Sequence, residues 1–90
     1  MKVVILYRQN TDHTSVVETF VRDFKYRHVT SRVEVIDADS REGIAMASLY
    51  DIMSLPAILA LRDDGSVLQM WQGEMLPLMD EVASYVVNQG

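Results

Sequence analysis

The chain contains no cysteine. That excludes a disulfide framework, a thiolate-bound zinc and any thiol nucleophile supplied by these residues. It also fits a reducing compartment. Basic residues are few, eight Lys and Arg against thirteen Asp and Glu, for a formal charge of −5 at pH 7. Phosphate recognition needs clustered cations. The loose group Arg22, Lys25, Arg27 and Arg32 reads instead as the solvated end of a helix, so no nucleic-acid partner is expected. No apolar run approaches the ~20 residues needed to span a bilayer. The apolar stretch after Lys2 is too short for a signal-peptide core and is followed by no small-residue cleavage site. No linker, repeat or low-complexity segment interrupts the 90 residues. The expectation is one soluble, cytoplasmic domain over residues 1–90, with a single core and no membrane partner.

The residues present pattern clearly. Val3–Tyr7 is apolar throughout, which predicts a strand buried on both faces. A polar junction follows, then a helix from Asp12 or Ser15 to His28 with Val17, Phe20, Val21 and Phe24 as its buried stripe. Thr11, Asp12, Thr14 and Ser15 are all competent caps for it. Val33–Asp37 alternates, with Val33 and Val35 set against Glu34, as an edge strand would. Asp39 or Ser40 can cap a second helix over Arg41–Asp51, with Ile44, Ala45, Ser48, Leu49 and Ile52 on one side. Gly43 is expected to cost that helix up to ~1 kcal/mol relative to Ala. Pro56 cannot continue a helix and disfavours helical backbone at Leu55. Ala57–Leu61 is again wholly apolar. Asp63-Asp64-Gly65-Ser66 is a hairpin turn, and Val67–Trp71 is its partner strand. A last helix is expected over Leu76–Val87, carrying Leu78, Met79, Val82, Tyr85 and Val86.

The order is β-α-β-α-β-β-α. A strand–helix–strand crossover makes the first two strands parallel, and the Gly65 turn makes the last two antiparallel. The two wholly apolar strands must be central, so the expected fold class is α/β, a four-stranded mixed sheet of order 2-1-3-4 with helices on both faces.

That order resembles the thioredoxin-like fold, and the second half carries the likeness. Tyr50–Gly73, "YDIMSLPAILALRDDGSVLQMWQG", is similar to the thioredoxin segment that runs Tyr-x-Ile-x-x-Ile-Pro-Thr, an apolar strand, a Gly turn, a strand and a Gly. Tyr50, Ile52, Leu55, Pro56, Gly65 and Gly73 fall on that pattern. "VIDADS" is similar to the family's Val-Asp-x-Asp. The departure lies at the chemistry. The family's Trp-Cys-Gly-Pro-Cys falls here on Thr11, Asp12, His13, Thr14 and Ser15, and its buried acid falls on Leu6. Thiol–disulfide exchange requires a thiolate, and neither Asp nor Ser replaces one.

The resemblance implies a cis peptide bond at Leu55–Pro56 facing the first helix, with main-chain groups there that pair with an extended peptide or with glutathione. The reading it supports is a redox-inactive module that binds a peptide or protein segment through the Pro56 loop and the N-terminus of the first helix. Its residues are Thr11, Asp12, Ser15, Ser54, Leu55, Pro56 and Trp71, with Met53 and Trp71 as apolar flanks. No catalytic residue is assigned. The alternative is a glutathione-binding or glutathione transferase-type enzyme in which Tyr7 or Ser15 polarises the thiol. Against it, the helical second domain of that class is missing, and Gln72-Gly73-Glu74 does not match its acidic–Ser pair. Asp12 also serves as a helix cap, a role that stabilises the dipole by ~0.3–1 kcal/mol. His13 and His28 lack further ligands at useful spacing. Asp37-Ala-Asp39 opens like a calcium loop, but Glu42 and Ser48 stand where Gly and Glu are required. Neither a metal nor a cofactor is expected.

Overall fold

In the computed structural model the apolar segment after Met1 forms β1, Lys2–Tyr7. The structure describes residues 1–9, 14–28, 32–73, 76–77 and 79–86. The sequence-based assignments to Thr11, Asp12, His13, Leu78 and Val87 lie outside these residues. After β1 come α1 (Thr14–Arg27), β2 (Arg32–Asp37), α2 (Arg41–Leu49), β3 (Ala57–Leu61), β4 (Val67–Gln72) and α3 (Met79–Val86). The sheet order is β2-β1-β3-β4. β1 runs parallel to β2 and antiparallel to β3, and β3 is antiparallel to β4. Among the described residues no helix is long and apolar enough to cross a membrane.

The period-2 pleat divides β1 and β3 between two cores. Val3, Ile5, Tyr7 and Ile58 face Val17, Phe20 and Phe24 of α1 and Val82 and Ala83 of α3. Val4, Leu6, Ala57, Leu59 and Leu61 face the other way, towards Met46, Ala47 and Tyr50 of α2. Helices therefore cover both faces, α1 and α3 on one and α2 on the other. Phe20 stacks on Phe24 with ring centroids 6.0 Å apart, along the stripe that the α1 periodicity predicts.

Two helices depart from their predicted form. α3 begins at Met79 rather than Leu76. Pro77 accounts for this, because it disfavours helical backbone at the residue before it. In α2 the buried face is rotated. Ile44 and Leu49, assigned to the inner side, are 61% and 74% exposed. The inward residues are Gly43, Met46, Ala47 and Tyr50, which also follow a helical i, i+3, i+4, i+7 spacing. The cause is a backbone contact. Gly43 lies so close to the preceding turn that a Cβ there would be 2.1 Å from the Asp37 carbonyl oxygen and 2.9 Å from the Ala38 Cα. Only glycine permits this approach, and it sets the rotation of the helix.

The ends of α2 are well secured. Ser40 is the N-cap, its Oγ accepting from the Gly43 amide at 3.0 Å. At the other end the Tyr50 hydroxyl donates to the Gly65 carbonyl at 2.7 Å, tying the helix to the β3–β4 turn. Gly65 has φ +90°, as that turn demands.

Replacing Gly43 with Ala would raise helix propensity by ~1 kcal/mol in an open site. Here the reverse is expected: Gly43→Ala lowers unfolding free energy by about 1–3 kcal/mol through overpacking, measured by urea denaturation followed by circular dichroism. An unchanged or raised midpoint would contradict the backbone contact.

Candidate functional site

A cleft of about 800 Å³ lies where the C-terminal end of β1 meets α2 and the loop before β3. Three segments build it. β1 supplies Leu6, Tyr7 and Arg8, the β2–α2 segment supplies Ala38, Asp39, Ile44 and Ala47, and the loop supplies Ile52, Met53, Leu55 and Pro56. Leu6 and Pro56 are fully buried at its base. Ile44 and Met53 stand at its rim, 61% and 81% exposed.

Short-range hydrogen bonds shape the turn on one side. The Asp37 carboxylate accepts from the Asp39 amide at 2.9 Å, and the Ser40 hydroxyl donates to the Asp37 carbonyl at 2.6 Å. Such bonds stabilise turns against competing helix or strand. The Arg8 Nε donates to both Asp39 oxygens, at 3.1 and 3.2 Å. Both side chains are more than half exposed, so the pair orients the rim and adds little stability.

The loop on the other side leaves α2 through a left-handed residue. Asp51 has φ +56°. The Ile52 amide donates to the Ala47 carbonyl at 2.8 Å and the Asp51 amide to Ser48 at 3.4 Å, the bonding pattern of a Schellman cap. The Met53 and Ser54 amides then both donate to Gln72 Oε1, at 2.7 and 3.0 Å. The Gly73 amide donates to the Pro56 carbonyl at 3.0 Å. The Leu55–Pro56 peptide bond is cis. Among the described residues nothing hydrogen-bonds the main chain of Leu55.

The residues singled out from sequence are thus only partly gathered. Leu55 and Pro56 line the cleft. Ser54 adjoins them on an exposed bend, with its amide already committed to Gln72. Ser15 is exposed on the first turn of α1 and is not part of the cleft wall. Trp71 does not flank the loop. It pairs with Ile58 and packs on the α1–α3 core, with its Nε1 donating to Glu81 at 3.3 Å and its ring edge-on to Tyr85 at 5.6 Å. Strand alternation explains the correction. Trp71 and Gln72 point to opposite faces, and Gln72 is the one beneath the loop. Sequence reasoning missed Gln72, Ile44 and the Arg8–Asp39 pair. A signal existed only for Ile44, once Gly43 is recognised as the inward position of α2.

Tyr7 is buried, and its hydroxyl is held above its ordinary value of 10.0 first by desolvation, then by the Glu18 and Asp37 carboxylates. The phenol therefore stays neutral. A folded-state pKa above the unfolded one stabilises the fold below pH ~10 and loses that contribution as pH rises through the folded value. Accordingly, absorbance at 295 nm should reveal a phenol titrating above pH 10 that Tyr7→Phe removes, with a shallower alkaline loss of stability in the variant. A further outcome concerns Asp51: Asp51→Gly should raise stability by up to ~1 kcal/mol, since glycine tolerates positive φ without a Cβ penalty. Thermal melts check it, and a lower midpoint would contradict the cap.

No protein-family model and no curated protein sequence matches this chain. Solved structures do. Thioredoxin O2 from Arabidopsis thaliana superposes with a TM-score of 0.69 at 8% identity, covering 92% of this chain and 69% of that one. Thioredoxin 1 from Thermosipho africanus gives 0.68 at 13% identity, covering 94% and 89%. Mitochondrial thioredoxin 3 from Saccharomyces cerevisiae gives 0.67 at 15% identity, covering 81% of this chain, which spans 66% of the yeast protein. At these identities the likeness is one of fold. Element order, sheet order and helix placement agree with it, and the chain has a thioredoxin-like fold without a cysteine.

Proposed function

We propose that this chain is a redox-inactive binding module that holds an extended peptide or protein segment in the cleft below the Pro56 loop. The observation that carries the reading is a convergence. Leu55, whose main chain has no hydrogen bond among the described residues, lies beside an apolar floor, with Ile44 and Met53 exposed at the rim. An extended segment can pair with free main-chain groups while its side chains seek pockets. Micromolar affinity corresponds to about −8 kcal/mol. A main-chain hydrogen bond contributes roughly 1 kcal/mol net, whereas burying one large apolar side chain contributes ~1.5–3 kcal/mol. The ligand therefore needs an apolar anchor between Ile44 and Met53, and a polar or charged neighbour would meet Arg8 and Asp39. The Met53 and Ser54 amides are already committed to Gln72, so among the described residues the Leu55 amide is the loop donor open to a ligand.

The glutathione reading gains no support. Tyr7 is buried beside Glu18, and Ser15 does not line the cleft.

Blocked hexapeptides of alternating apolar and polar residues, titrated into isotopically labelled protein, should shift the amides of Leu6–Arg8, Ala38–Asp39 and Ile52–Leu55. Ile44→Asp and Met53→Asp replace exposed side chains and should leave the fold intact while weakening binding about tenfold each. Shifts confined to other surfaces, or variants that bind as well as the parent, would defeat the proposal. Insulin reduction by dithiothreitol should proceed at the protein-free rate.

A further inference from the structure

A second, smaller groove of about 230 Å³ lies along the β2 edge of the sheet. It is lined by Tyr7, Val17, Glu18, Val21, Arg22, Lys25 and Val35, so it runs between α1 and β2. Val35, on an edge strand, is 42% exposed. Neither the cleft nor its proposed ligand involves this surface.

The hydrogen-bond phase of β2 can be read directly. The Ala38 amide donates to the Tyr7 carbonyl at 2.9 Å. In a parallel ladder the residues that bond the neighbour alternate with residues whose N–H and C=O point away. Ala38, Ile36 and Glu34 therefore bond inward to β1, while Val33 and Val35 turn both main-chain groups outward and Asp37 its amide alone, its carbonyl being bonded by the Ser40 amide and hydroxyl. Their side chains share the α1 face with the groove.

An antiparallel copy of the same strand fits this edge in one register. A two-fold axis perpendicular to the sheet keeps its faces and pairs odd residues with odd. Centred on Val35, it sets Val35 against its own mate and Val33 against Asp37 of the other copy. The two Val35 exchange both bonds, and each Asp37 amide faces the Val33 carbonyl of the other copy. The two Val35 side chains then close over the grooves and cover the apolar walls of Val17 and Val21. Glu18 and Lys25 both line the groove, so in this register Glu18 of one copy would face Lys25 of the other. These residues lie seven apart on one helix face, and the two-fold turns them into two opposite-charge pairs. We infer that β2 is an isologous dimer edge at which the occupant is a second copy of this chain. The far edge is less suited: opposite Ala60 and Leu61 of β3, β4 skips from Gln69 to Val67, the kind of irregularity that blunts edge pairing.

Sedimentation equilibrium of the chain tests this. The parent should form a concentration-dependent dimer. Val35→Lys, which places two ammonium groups at the axis, should raise the dissociation constant by about tenfold or more. Val67→Lys, an equivalent change on the β4 edge, should leave it unchanged. Lys25→Glu and Glu18→Lys should each weaken the dimer, and the double reversal should restore it. That restoration depends only on helix-surface charges, and so decides the matter even if Val35→Lys fails to fold. A parent that stays monomeric, a dimer insensitive to Val35→Lys or broken by Val67→Lys, or a double reversal that fails to restore association would each overturn the inference.

Discussion

Every side chain of β1 from Val3 to Leu6, and every one of β3, is at most 2% exposed, so both strands need a packed layer on each side. A surface helix offers one apolar stripe, and covering both faces takes helices on each. The three helices divide two and one. α1 and α3 take the face of Ile5 and Ile58, and α2 alone takes the face of Leu6 and Leu59. β2 and β4 are left as edges, where half-polar sequences suffice. The topology is the consequence of where unbroken apolar runs fall in the chain.

α2 covers its face alone and does so by coming close. Gly43 against the Asp37–Ala38 backbone brings the helix down onto the sheet. The same contact turns Ile44 outward, to the rim of the cleft. A stability device and the candidate site thus share one residue. The cleft's other wall depends on Asp51, whose positive φ redirects the chain, and on Gln72, which gathers two loop amides on one oxygen. Among the described residues, these contacts leave the Leu55 amide as the open donor of the loop.

Without sulfur, the junction after β1 cannot exchange disulfides. The thioredoxin-like fold brings together a proline-ended loop, a strand end and a helix around an apolar floor. The proposed peptide site uses that frame on one side of the sheet. The proposed dimer edge uses the opposite face, so the two surfaces can act together or separately.

The sequence by itself determined the element order, the centrality of Val3–Tyr7 and Ala57–Leu61, the division of helices and the α1 stripe. Apolar periodicity and continuous apolar runs are local records of burial, and Pro56, Gly65 and Ser40 mark boundaries through their own backbone chemistry. Pro77 carries the same kind of information about the start of α3. The rotation of α2, the turning away of Trp71 and the service of Gln72 to the loop were decided only in the tertiary structure. Each depends on which neighbour arrives from far along the chain. Gly43 is a weak helix former until a backbone occupies the space of its Cβ. Trp71 and Gln72 are adjacent residues whose roles are set by which face α2 or α3 covers. Periodicity records that a residue is buried, but not against what.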